Sequence, residues 1–171
     1  MDFKTEALKE HSKSQCLKLV KYIGEDGKKF SALIEAFLAG PYRVTQRLSW
    51  PMSCCVEANT EIIHPHLTRI LKFVQQPDVH VAVKRNVVRL LQFIDVPTKH
   101  QGPVIDICFK FFTDTKEPIA VRVFSMTVLA NLAKEIPELK NELIPIIEDQ
   151  LPLGSAGFVS RGRKILKELK H

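Results

Sequence analysis

The sequence has no CxxC pair, one tryptophan, two tyrosines and only seven glycines in 171 residues, and no apolar run near the ~18 residues a membrane span needs. Each shortage excludes something. The four cysteines, Cys16, Cys54, Cys55 and Cys108, include one adjacent pair and fit neither a disulfide framework nor a zinc knuckle, so a reducing compartment is expected. The opening MDFKTEALKEHSK is charged throughout and lacks the apolar stretch of a secretory signal, which points to the cytoplasm. No P-loop or dinucleotide fingerprint is present, and no paired-carboxylate site can be argued from spacing. Neither a cofactor nor a metal is implied.

What is present is an ordinary globular composition, 45% hydrophobic and 26% charged. A chain of this length fits one domain, and folding should remove roughly 70% of its unfolded surface from water. The net charge of +6 favours acidic partners without choosing among them. Helical spacing dominates and strand alternation is scarce, which predicts nine helices over 5–23, 28–39, 43–58, 63–76, 79–94, 102–113, 117–135, 138–151 and 157–170. Pro51 falls inside the third and predicts a kink or break.

Compared with itself, the chain shows a repeat. RVTQRLSW, HVAVKRNV, PIAVRVFS and GFVSRGRK align, placing a basic residue at Arg47, Lys84, Arg122 and Arg161, with an apolar residue three positions earlier at Val44, Val81, Ile119 and Phe158. Pro65 and Pro103 stand sixteen residues before Val81 and Ile119, where each is expected to open the preceding helix. A unit of about 38 residues built from two helices follows.

Over roughly residues 28–170 the pattern resembles the HEAT and armadillo class of helical-repeat proteins, with Val83-Lys84 and Val121-Arg122 matching the Val-Arg-type step early in the second helix. The resemblance implies an all-α, right-handed α-α superhelix of four helix pairs, 28–59, 63–94, 102–135 and 138–170, in a single domain whose residues 1–24 cap one end. It also implies that second helices line a concave surface on which Arg47, Arg85, Arg89, Arg122, Arg161, Arg163 and Lys164 converge. In such repeats the basic step commonly pairs with a carboxylate near the turn, so Lys84 and Arg122 are expected in an internal ladder, with Asp78, Asp106, Asp114 and Glu117 as partners. Within 79–94, Val83, Val87, Leu90, Leu91 and Ile94 form the expected core stripe, leaving Arg85 and Arg89 on another face.

Other residues invite chemistry and have plainer readings. Trp50 suggests a groove aromatic, as in the DNA alkylation repair glycosylases built of HEAT-like repeats. Their catalytic carboxylate has no counterpart here, because only Glu35 lies between Asp26 and Glu57. LPLGSAGFVSRGRK, 151–164, is a glycine-rich stretch entering a helix and reads first as an inter-helix turn, then as an anion site. His64 and His66 read as exposed histidines at a cap, and Cys54-Cys55 as small buried residues of an amphipathic helix. The expectation is a non-enzymatic protein-binding or scaffold module, with nucleic-acid backbone binding as the alternative.

Overall fold

Helix starts are written locally. In the computed structural model, which describes residues 1–171, five helices begin on a side chain that accepts a main-chain N–H. Asp2 caps α1 (Phe3–Lys9), Ser12 caps α2 (Lys13–Ile23), Asp26 caps α3 (Gly27–Ala39), His80 caps α6 (Val81–Leu91) and Ser155 caps α10 (Ala156–Lys170). Pro41 and Pro118 stand at the starts of α4 (Tyr42–Ala58) and α8 (Ile119–Leu132). The remaining helices are α5 (Leu67–Val74), α7 (Thr98–Thr113) and α9 (Leu139–Gln150), and the fold is all-α. No helix is long and apolar enough to cross a membrane.

Three local expectations are corrected. The helix predicted over 5–23 is two, because Glu10 is extended and the Ser12 hydroxyl takes the Gln15 N–H at 3.0 Å, starting a new helix. Pro65 does not open α5 but lies within a 3₁₀ segment, Thr60–His66, and Pro103 lies inside α7 rather than at its start. Each proline is within two turns of the start of its helical segment, so little of the backbone ladder is lost. Pro51 stands inside α4, as expected, and the helix runs on past it through Ala58, with Pro51 itself buried.

The chain forms two compact units, Met1–Pro97 and Thr98–His171, each holding two of the predicted helix pairs. In the first, α1, α2, α3 and α6 all pack on α4 around Phe30, Phe37, Leu48 and Met52, none of which retains accessible surface. Burying each such side chain contributes about 1.5–3 kcal/mol before entropy is counted. Gly40 makes the α3–α4 turn possible, since a Cβ there would lie 2.6 Å from the Ala36 carbonyl oxygen and 2.8 Å from Val44 Cγ1. In the second unit α8 packs on α7 and α10, and the buried rings of Phe112 and Phe158 stack 6.1 Å apart. Gly162 lets α10 approach closely, because a Cβ would sit 2.8 Å from Leu151 Cδ2.

Aligning the second helices by their N-caps, Pro41, His80, Pro118 and Ser155, refines the repeat. The third residue after each cap is Val44, Val83, Val121 and Phe158, and all four are buried. Val81 and Ile119, the expected apolar positions, are instead 39% and 42% exposed. The register of the two middle repeats is thus two residues later than self-alignment gives, and on a helix a two-residue slip turns a side chain to a different face.

Candidate interaction surface

The corrected register separates the basic residues by role. Six positions after the cap stand Arg47, Asn86 and Arg161, and each reaches back to an earlier helix of its own unit. Arg47 Nη1 donates to the carbonyl oxygens of Ala7 at 3.0 Å and Leu8 at 3.3 Å, at the end of α1. Asn86 Nδ2 donates to Ser49 Oγ on α4 at 2.9 Å, and Arg161 Nη1 to Thr127 Oγ1 on α8 at 2.8 Å. These are rungs between helices, and their acceptors are neutral.

Arg89 and Arg122 are also held within their units. Arg89 donates through Nη1 to Ser53 Oγ at 2.8 Å and through Nη2 to Glu57, with its guanidinium 5.3 Å from the Phe93 ring. Arg122 Nε meets the Phe112 carbonyl at 3.1 Å, Nη2 meets Gln150 Oε1 at 2.6 Å, and the guanidinium lies 4.8 Å over Phe158. The ladder expected at Arg122 is therefore built from a carbonyl, a carboxamide and a ring. Partial burial lowers the Arg122 pKa from its ordinary value, with Asp114 opposing that as the nearby charge. Asp114 itself accepts the Lys116 N–H at 2.9 Å, and Asp106 lies exposed on α7. Lys84 is half-buried.

Arg85, Arg163 and Lys164 are exposed. The seven basic residues singled out from sequence thus divide by unit, with Arg47, Arg85 and Arg89 in the first and Arg122, Arg161, Arg163 and Lys164 in the second. The core stripe of α6 is as expected, with Val83, Val87, Leu90, Leu91 and Ile94 all buried.

Trp50 is half-buried, edge-on to the His11 ring at 5.8 Å, beside a cavity of about 10 Å³ that Glu10, Arg47 and Cys16 help to line. That volume holds about one water and cannot admit a base. The stretch 151–164 runs from a 3₁₀ segment, Leu151–Leu153, through Gly154 into α10, which Ser155 caps with its hydroxyl 3.4 Å from the Phe158 nitrogen. The histidines are half-buried rather than exposed. His64 Nδ1 is 3.0 Å from Glu61, while His66 Nε2 is 3.1 Å from Ser31 Oγ, and burial lowers the His66 pKa. No cluster of three or more His, Cys, Asp or Glu side chains is arranged to hold a metal ion. Cys55 is buried as expected, but Cys54 is only half-buried and lies 4.0 Å, sulfur to sulfur, from Cys16 on α2.

A family model described as a HEAT repeat domain matches residues 3–169. No curated protein and no solved structure gives a match.

Proposed function

The chain belongs to the HEAT repeat family, and from that premise we propose that it is a non-enzymatic interaction module whose partner is another protein, met by the exposed basic side chains of its second helices. The observation that carries this reading is the division of labour among those side chains. Arg47, Arg89, Arg122 and Arg161 are engaged by neighbouring helices, whereas Arg163 and Lys164 on α10 are turned to solvent. Exposed charges of this kind contribute little to folding, and they set which partner is approached and how fast. With a net charge of +6, the partner surface they suit is acidic.

The test is affinity purification of the tagged chain beside an Arg85→Glu, Arg163→Glu, Lys164→Glu variant, with circular dichroism showing that both are equally helical. A protein bound by the parent and lost by the variant is expected; identical bound proteins would overturn the assignment of this surface. The second reading, a phosphate backbone, rests on the basic run of α10, where Lys167 is exposed as well. It predicts duplex affinity that falls with salt at a log-log slope of about −0.9 per neutralised phosphate, and a flat response excludes it.

A further inference from the structure

Cys16 and Cys54 are 38 residues apart in sequence, yet the Cys16 thiol donates to the Cys54 sulfur at 4.0 Å across the packed helices α2 and α4. From 4.0 Å, the two sulfurs must close by about 2 Å to reach the roughly 2.05 Å of a disulfide. The surroundings of Cys54 also favour the thiolate, which is the reactive form. The hydrogen bond from Cys16 is the largest cause of a Cys54 pKa lowered to about 7, and the Arg89 guanidinium adds to it while burial and Glu57 oppose. Arg89 is fixed for this by Ser53 and Glu57, the residues one before and three after Cys54. The other thiols differ. The bond to Cys54, with burial, raises the Cys16 pKa and keeps that thiol protonated, while burial pushes Cys55 up to about 12 and Cys108 higher still, and these last two are inaccessible.

We propose that Cys16 and Cys54 form a peroxide-responsive pair, in which Cys54 is oxidised first and Cys16 resolves it to a disulfide tying α2 to α4. In the first step the Cys54 thiolate attacks one oxygen of hydrogen peroxide; an S–O bond forms, the O–O bond breaks, and hydroxide leaves and takes up the thiol's proton as water. In the second, the Cys16 sulfur attacks the Cys54 sulfenic sulfur, the S–O bond breaks, and the hydroxide released takes the Cys16 proton as a second water. Two thiols lose two electrons and two protons, and peroxide becomes two waters. Cys54 is the entry point because it is half-buried, whereas Cys16 is 4% exposed.

The experiment is brief treatment of the purified full chain with hydrogen peroxide, alkylation of remaining thiols, and mass spectrometry of an unreduced digest. Expected is a Cys16 peptide joined to the Cys54 peptide, two hydrogens lighter than the pair and separated by dithiothreitol. The link should survive Cys55→Ser and disappear in Cys54→Ser, while Cys16→Ser should leave a Cys54 sulfenic acid that dimedone traps. Over-oxidation of Cys54 with Cys16 still free, or a dominant link through Cys55 or Cys108, would overturn the proposal. Because the primary readout uses the unaltered chain, no variant has to fold for it to fail.

Discussion

The second helices are joined differently in the two units. In the first, α6 meets α4 through directional bonds, Asn86 to Ser49, Arg89 to Ser53 and Arg89 to Glu57, and Ser49, Ser53 and Asn86 are all buried. In the second, α10 meets α8 through the Arg161–Thr127 bond, and its anchor is Phe158, stacked on Phe112 of α7 with Arg122 over its face. Apolar packing tolerates small slips, whereas a buried donor facing a single acceptor does not. The first unit therefore has its helix register set by polar partners, and the second draws its stability from rings.

The largest effect should come from removing the ring. Phe158→Ala deletes a side chain with no accessible surface and leaves Phe112 and Arg122 facing a void, so urea unfolding should show a loss of about 3–5 kcal/mol. A loss below about 2 kcal/mol would mean the second unit does not depend on its aromatic seam.

The polar seam of the first unit predicts a smaller loss and a particular asymmetry. Ser49→Ala strands the buried Asn86 amide and should cost about 1–3 kcal/mol. Asn86 Oδ1 already lacks a partner, so adding Asn86→Leu removes two unsatisfied atoms at once. The double variant should therefore unfold at higher urea than Ser49→Ala alone, and the reverse order would show that the seam works by packing rather than by hydrogen bonding.

The first unit also carries an acid-sensitive anchor. Glu6 receives Lys18 Nζ at 2.8 Å, Gln15 Nε2 at 2.9 Å and the Lys9 ammonium, and these hydrogen bonds, Lys18 first, hold its pKa at about 2 against an ordinary 4.5. A depressed carboxylate pKa stabilises the fold above the ordinary value, and that contribution fades as pH falls from about 4.5 toward about 2. The parent should melt above Glu6→Gln at neutral pH, with the gap closing across this window. A gap that persists at pH 2 would show that the charge is not what matters.

Which of these features could be read in advance follows from the range of the interaction. The all-helical fold and the α6 stripe were legible because amphipathic spacing repeats locally. The break before α2 was also legible, since Ser12-Lys-Ser-Gln15 carries a capping-box spacing that the apolar pattern of 5–23 masked. The repeat register failed for a subtler reason. Self-alignment followed charge, pairing Lys84 with Arg47, whereas burial pairs Asn86 with Arg47, and an uncharged residue in a basic column gives no signal. The Cys16–Cys54 contact was beyond reach, because partners one repeat apart are set by tertiary packing.

The smallest effect separates two arginines of one helix. Arg161 and Arg163 lie two positions apart on α10, so they point to different sides, and only Arg161 carries a rung to Thr127. Arg161→Ala should lower stability by about 0.5–1.5 kcal/mol, the usual worth of one partly buried hydrogen bond. Arg163→Glu should leave it within about 0.5 kcal/mol of the parent, because an exposed substitution removes no buried partner. Urea midpoints for the two variants test this directly. If Arg163→Glu destabilises as much as Arg161→Ala, Arg163 belongs to the scaffold rather than to the surface offered to a partner. If the two separate as expected, the same helix holds the register of its unit on one side and presents charge on another, and a change in partner affinity at Arg163 can be read without correction for folding.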